Sequence, residues 1–106
     1  ANKDLPKAEQ LSYKTIKAEP NNSTFLDTYA WILFQQKRYE EAKIYIDQAI
    51  RSDSTLTGVV KEHAGDIYAM TGDIDKALEF WQQSLKGGNQ SAVLKKKIQL
   101  KKYVAK

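Results

Sequence analysis

The sequence lacks cysteine altogether and contains a single histidine, His63, among 106 residues. Without thiols there are no disulfides, thiolate zinc sites or cysteine nucleophiles, and one histidine excludes paired-histidine metal sites of the HExxH type. The glycines form no phosphate-binding loop, because Gly87 and Gly88 follow a helical pattern and end it. The sequence therefore predicts a protein that is not an enzyme and holds no cofactor or metal.

Long apolar stretches are lacking as well. The longest uninterrupted run, Tyr29 to Phe34, is far too short to cross a membrane. The chain begins at Ala1 rather than at methionine, so we expect an upstream segment in the parent protein. The compartment, cytoplasmic or exported, stays open.

Positive charge is confined to one end of the chain. Residues 89–106 carry six of the 17 basic residues and no acid, which leaves 11 basic and 13 acidic residues before them. These lysines are Lys95, Lys96, Lys97, Lys101, Lys102 and Lys106. We interpret them as the solvated face of a terminal helix; the competing interpretation is binding of phosphate groups or an anionic surface. Nucleic acid is not expected as the partner, because its binders more often spread positive charge over a face of the fold.

An internal repeat dominates the rest of the sequence. The stretches from Asp27 to Ile50 and from Glu62 to Leu85 match at a shift of 35 residues. The matched pairs include Ala30 with Gly65, Leu33 with Tyr68, Ala42 with Ala77, Tyr45 with Phe80 and Ile46 with Trp81. This period predicts an all-α solenoid of stacked antiparallel helix hairpins with about six helices.

Capping and breaking residues predict where the helices begin and end. The boundaries are marked by Pro20, by a cap at Asn22 or Ser23, by the Thr71-Gly72-Asp73 turn with Asp73 as a cap, by the Gly87-Gly88 pair, and by a cap at Ser91 or Asn89. The resulting division is 1–22 for the second helix of a partial repeat, 23–54 and 55–88 for two repeats, and 89–106 for a capping helix. Lys97 and Lys101 interrupt the apolar arc of the last helix, whose end we expect to fray.

With these residues the chain resembles the tetratricopeptide repeat family, in which two antiparallel helices recur every 34 residues. The first full repeat reads Leu26, Tyr29, Ala30, Leu33, Ala42, Ile46 and Ala49. The second reads Ala64, Gly65, Tyr68, Ala77, Trp81 and Ser84. Departures are Lys61 at a large apolar position and Ser54 and Asn89 where the closing proline stands. We expect the chain to be a segment of a longer repeat protein, because it begins with the second helix of a repeat.

The resemblance implies a concave face formed by the first helix of each repeat, and a protein–protein interaction module that binds a partner there. The matching residues are Asp27, Trp31, Phe34, Glu62 and Asp66. Their carboxylates favour a basic or apolar peptide over an acidic C-terminal tail. Two alternatives remain: Trp31 packs on a preceding repeat and the acids are merely solvated, or the segment is a structural spacer that self-associates through its uncovered end.

Overall fold

The computed structural model describes residues 4–53 and 58–105, and within these ranges the chain is all-α, with six helices and no strand. The helices are α1 (Leu5–Ala18), α2 (Ser23–Gln35), α3 (Tyr39–Ser52), α4 (Val59–Met70), α5 (Ile74–Lys86) and α6 (Ala92–Leu100). The predicted fold class and helix number are thereby confirmed.

Backbone contacts divide the chain into two compact units, Ala1–Ser54 and Thr55–Lys106. The N-terminal unit contains α1, α2 and α3, and the C-terminal unit contains α4, α5 and α6. The expected boundary between the two full repeats, with Ser54 in place of the closing proline, lies outside the described residues. The division into repeats by residue number stays a prediction.

Three helices begin at the capping residues that the sequence predicts. The side chain of Asn22 accepts a hydrogen bond from the backbone N–H of Phe25 at 3.1 Å. Asp73 does the same for α5, and Ser91 for α6. Each cap satisfies one of the backbone donors that the first helical turn leaves without a partner.

The turns that follow α2 and α4 have the same backbone conformation but different residues. Lys37 and Gly72 stand at equivalent places, 35 residues apart, with φ angles of 64° and 93°. In both turns the next residue donates its N–H to the carbonyl five residues earlier. Glycine adopts this left-handed conformation freely, whereas a lysine in it carries strain.

The core of the N-terminal unit lies mainly between α2 and α3. Fully buried positions on these helices are Leu26, Ala30, Leu33, Ala42, Ile46 and Ala49. On α1 the buried residues are Ser12 and Ile16, while Leu11 is 54% exposed. Ser12 and Ile16, four residues apart, therefore define the inner face of α1.

Trp81 is the largest fully buried side chain of the C-terminal unit. Its indole lies directly against the backbone of Gly65, so that a Cβ atom added there would overlap the ring. At the equivalent places of the N-terminal unit stand Ala30 and Ile46, both fully buried. A smaller residue on the first helix thus accompanies a larger residue on the second, which keeps the core filled at native density.

Candidate functional site

Three of the predicted contact residues lie on α2 of the N-terminal unit. The rings of Trp31 and Phe34 are stacked, with centroids 4.5 Å apart and planes 8° from parallel. The ring of Phe34 also meets Tyr39 edge to face at 5.2 Å. Trp31 and Asp27 are half-buried, whereas Phe34 is only 6% exposed. Of the two aromatic rings, Trp31 is therefore the one that a partner can contact, and the buried ring of Phe34 packs against it.

The other two predicted residues, Glu62 and Asp66, lie on α4 and share one cation. The ammonium of Lys97 on α6 lies 2.6 Å from Oε2 of Glu62 and 2.8 Å from Oδ1 of Asp66. It donates a further hydrogen bond of 3.0 Å to Oδ2 of Asp66. The sequence placed both acids on a partner-facing surface, but Asp66 is 2% exposed and both carboxylates are engaged by α6.

Two neutral donors complete this network. Trp81 donates its indole N–H to Oδ1 of Asp66 at 3.1 Å, and Asn89 donates to Oε1 of Glu62 at 2.9 Å. Asn89 also bonds the hydroxyl of Ser84. Buried charges are tolerated when they are paired and their remaining lone pairs are hydrogen-bonded, and that condition is met here.

Burial and pairing move the pKa values of the two acids in opposite directions. Desolvation, the largest influence, raises the pKa of Asp66 to about 6 despite the opposing effects of Lys97 and Trp81. At Glu62, desolvation is outweighed by the hydrogen bonds from Lys97 and Asn89, so its pKa is lowered. The difference follows from depth, since Glu62 keeps 13% of its side-chain surface exposed and Asp66 only 2%.

The role of Lys97 differs from the one predicted from the sequence. We expected a solvated lysine on a fraying helix, and this was wrong: Lys97 is 3% exposed and paired within the C-terminal unit. Two signals could have pointed to it. Lys97 follows the buried Leu94 by three residues, on the same helix face, and it stands 35 residues after Glu62, at an equivalent place with opposite charge.

A second polar group links α1 to α2 and to the start of α3. Glu9 accepts hydrogen bonds from the Tyr29 hydroxyl at 3.1 Å and from Arg38 at 2.7 Å. Burial, with the hydrogen bond to Glu9, raises the pKa of Tyr29 to about 12. Beside this pair is an open cleft of about 240 Å³, which Gln10 and Tyr13 also line.

Among the described residues, no group of three or more histidine, cysteine, aspartate or glutamate side chains is arranged to hold a metal ion. In the same ranges no helix is both long and apolar enough to cross a membrane. The arrangement offers paired charges and aromatic surface, which suit binding.

Comparison with known proteins agrees with the architecture. Residues 2–103 match the family model described as tetratricopeptide repeat-like domain. Stress-induced-phosphoprotein 1 of Caenorhabditis elegans is 26% identical over an alignment of 108 positions, gaps included. The alignment covers 96% of this chain and 34% of that protein. A solved chain from the structure of Naa15/Naa10 bound to HypK-THB superimposes with a TM-score of 0.75 at 19% identity, over 93% of this chain and 15% of that one. This chain thus spans about a third of its curated relative, and it belongs to the tetratricopeptide repeat-like domain family.

Proposed function

We propose that this chain is a non-catalytic protein–protein interaction module that binds a basic or apolar segment of a partner through the aromatic surface of α2. The stacked pair of Trp31 and Phe34, with Asp27 one turn earlier, is the observation that carries the proposal. A rigid aromatic anchor gives a large contact area at small entropic cost, and a nearby carboxylate favours a cation.

Membership of the family supports protein binding in general terms. The similar solved chain comes from an assembly of several proteins, Naa15/Naa10 bound to HypK-THB. Its likeness to this chain concerns the fold, so we take from it only the expectation that a helix stack of this kind presents surfaces to other proteins.

Glu62 and Asp66, on α4 of the C-terminal unit, are proposed as partner contacts as well, but in a different way from Trp31. Lys97 already forms ion pairs with both carboxylates. A partner can therefore contact them either while they are paired with Lys97 or after α6 has moved away. A test that reverses the charge of Asp66 would disturb the core, so the α2 residues are the ones to vary.

The test is a capture experiment with the Asp27→Lys, Trp31→Ala double variant. Extract of the source cells is passed over the parent, the double variant and a control, Tyr13→Ala, which removes a 44% exposed ring from α1. Capture by the parent and the control but not by the double variant supports binding through α2. Equal capture by all three, with unchanged circular dichroism, contradicts it.

The chemistry of the partner is tested with two synthetic peptides of equal length. One alternates lysine and leucine, and the other replaces each lysine with glutamate. We expect chemical-shift changes at the Trp31 indole N–H with the basic peptide, which weaken as ionic strength rises, and none with the acidic one. A preference for the acidic peptide overturns the proposed partner class.

A structural spacer or self-assembling segment is the second candidate, and exposed apolar side chains favour it. Leu11 on α1 and Ile44 on α3 are 54% and 56% exposed. Exposed apolar side chains of this size can supply contacts between repeats or between copies. Light scattering of the parent and of a Leu11→Asp, Ile44→Asp variant tests it: an association that the variant abolishes supports this candidate.

Phosphate or anionic-surface binding through α6 has less support than the sequence suggested. Lys97 is withdrawn from the basic face by its ion pairs, which leaves Lys95, Lys96, Lys101 and Lys102 exposed. Binding to anionic vesicles that falls steeply with added salt, and that Lys96→Glu, Lys102→Glu weakens, would favour it.

A further inference from the structure

The surface formed by α4 and α5 in the C-terminal unit contains a complete binding site for an ammonium group. Three carboxylate oxygens lie between 2.6 and 3.0 Å from the Nζ atom of Lys97. Trp81 donates a hydrogen bond of 3.1 Å to Asp66, and Asn89 donates one of 2.9 Å to Glu62. The site is built by α4, α5 and Asn89 after α5, while the cation comes from α6.

Charge makes this site selective. Two carboxylates face one ammonium, and with α6 in place Asp66 is only 2% exposed, so little water reaches the ion pair. A helix that presents leucine or methionine at the place of Lys97 would leave both negative charges without a partner, which is strongly unfavourable in a buried position. The surface therefore fits an amphipathic helix with an apolar residue three positions before a lysine, as Leu94 stands before Lys97.

The helix that now occupies the site is held by few interactions. It has nine residues, too few for a stable isolated helix, and its buried residues are Leu94 and Lys97 alone. At its end Lys101 adopts a left-handed conformation with φ of 55°, which is strained for a residue other than glycine. A short helix with so few buried residues opens more readily than the core.

We propose that the α4–α5 surface around Glu62 and Asp66 is a recognition site for a lysine-bearing amphipathic helix, which α6 occupies within the chain and which a partner helix of the same chemistry takes by displacing α6. The inference rests on the proposed function in one respect, the role of Glu62 and Asp66 as partner contacts. It explains how acids engaged inside the unit can also serve a partner.

The first test uses the full chain with Lys97→Met and a fluorescein-labelled peptide of residues 89–105 as the probe. The variant chain lacks the internal ammonium, so the peptide supplies it. We expect the parent peptide to bind at least about tenfold more tightly than a peptide carrying Lys97→Met, since only the former pairs the buried carboxylates. The matched control peptide, Lys96→Met, changes an exposed lysine and should bind like the parent peptide.

Absence of binding, or equal affinity of the Lys97→Met and Lys96→Met peptides, would overturn the proposal. A second measurement avoids dependence on the folding of the variant. Hydrogen exchange of residues 92–100 is followed in the unaltered chain as the parent peptide is added. Displacement predicts faster exchange in α6 that saturates with peptide concentration; unchanged exchange at saturating peptide contradicts it.

These outcomes separate the inference from the proposed function of α2. The peptide experiment is repeated with Trp31→Ala added to the Lys97→Met chain. Peptide binding that survives this change, beside capture that depends on Trp31, supports two separate contacts. Loss of peptide binding with Trp31→Ala would overturn the assignment of the site to α4 and α5.

Discussion

Replacing Lys97 with methionine should destabilise the C-terminal unit more than any surface change of similar size. Methionine keeps most of the apolar stem but removes the ammonium, and Lys97 and Asp66 are 3% and 2% exposed. Removing one partner of a buried ion pair costs about 3–5 kcal/mol, because the other charge is left unpaired. Since Glu62 retains some contact with water, we expect a loss near the lower end, about 3 kcal/mol at pH 7.

The stability lost in the Lys97→Met variant should become smaller in acid, because Asp66 takes up a proton there. Desolvation already raises its pKa to about 6, above its ordinary value of 3.8, and loss of Lys97 removes two opposing influences. A carboxyl whose pKa is higher in the folded state than in the unfolded state destabilises the fold at neutral pH, where it is ionised. This loss of stability disappears as the pH falls through the folded-state pKa, because the folded state binds the proton first. Between pH 7 and pH 5 the variant should recover roughly 1 kcal/mol or more relative to the parent.

The assay is urea unfolding at pH 7 and pH 5, followed by tryptophan fluorescence in a Trp31→Phe background. The signal then reports on Trp81, which lies inside the C-terminal unit. The control Lys96→Met alters an exposed lysine of the same helix and should change stability by less than about 0.5 kcal/mol. The reasoning is refuted if Lys97→Met loses no more than this control at pH 7, or if its deficit grows on acidification.

Three further predictions concern neighbouring features. Gly65→Ala places a methyl group into the Trp81 indole and should lower stability by roughly 1–3 kcal/mol; an unchanged thermal midpoint would contradict this. Lys37→Gly should relieve left-handed strain and stabilise the chain by about 0.5–1 kcal/mol, whereas Gly72→Ala should destabilise it; opposite signs in chemical unfolding would show the turns to be unstrained. Trp81→Phe removes a donor that lowers the pKa of Asp66, so carboxyl titration by NMR should give a value above about 6, and a lower value would exclude that role.

The helices and their order could be predicted from the sequence because their signals are local. The 35-residue match, the cap at Asn22 and the turn at Gly72 each depend on residues close in the chain. The repeat pattern also pointed to core positions of α2, since Leu26 and Leu33 are fully buried. Local propensity and periodicity suffice where the hydrophobic pattern is unambiguous.

The candidate site was less predictable because its contacts join residues that are distant in sequence. Glu62 and Lys97 are 35 residues apart, and a charged residue on a helix is normally assigned to solvent. Only the meeting of α4 with α6 shows that these charges neutralise each other in a buried place. Phe34 shows the same limit: the resemblance assigned it to the partner-facing surface, but it is 6% exposed and packs against Trp31 and Tyr39.

The departures of the second repeat from the first are connected by contact. Gly65 replaces an alanine and leaves space that the indole of Trp81 fills. That indole supplies the N–H that bonds Asp66, which stands where the first repeat has Trp31. Asp66 in turn receives Lys97. Each residue therefore allows the burial of the next: Gly65 leaves space for the indole of Trp81, Trp81 donates a hydrogen bond to Asp66, and Asp66 forms an ion pair with Lys97. Residues coupled in this way respond to substitution together rather than additively, so the effects of changing Trp81, Asp66 and Lys97 on stability should not add.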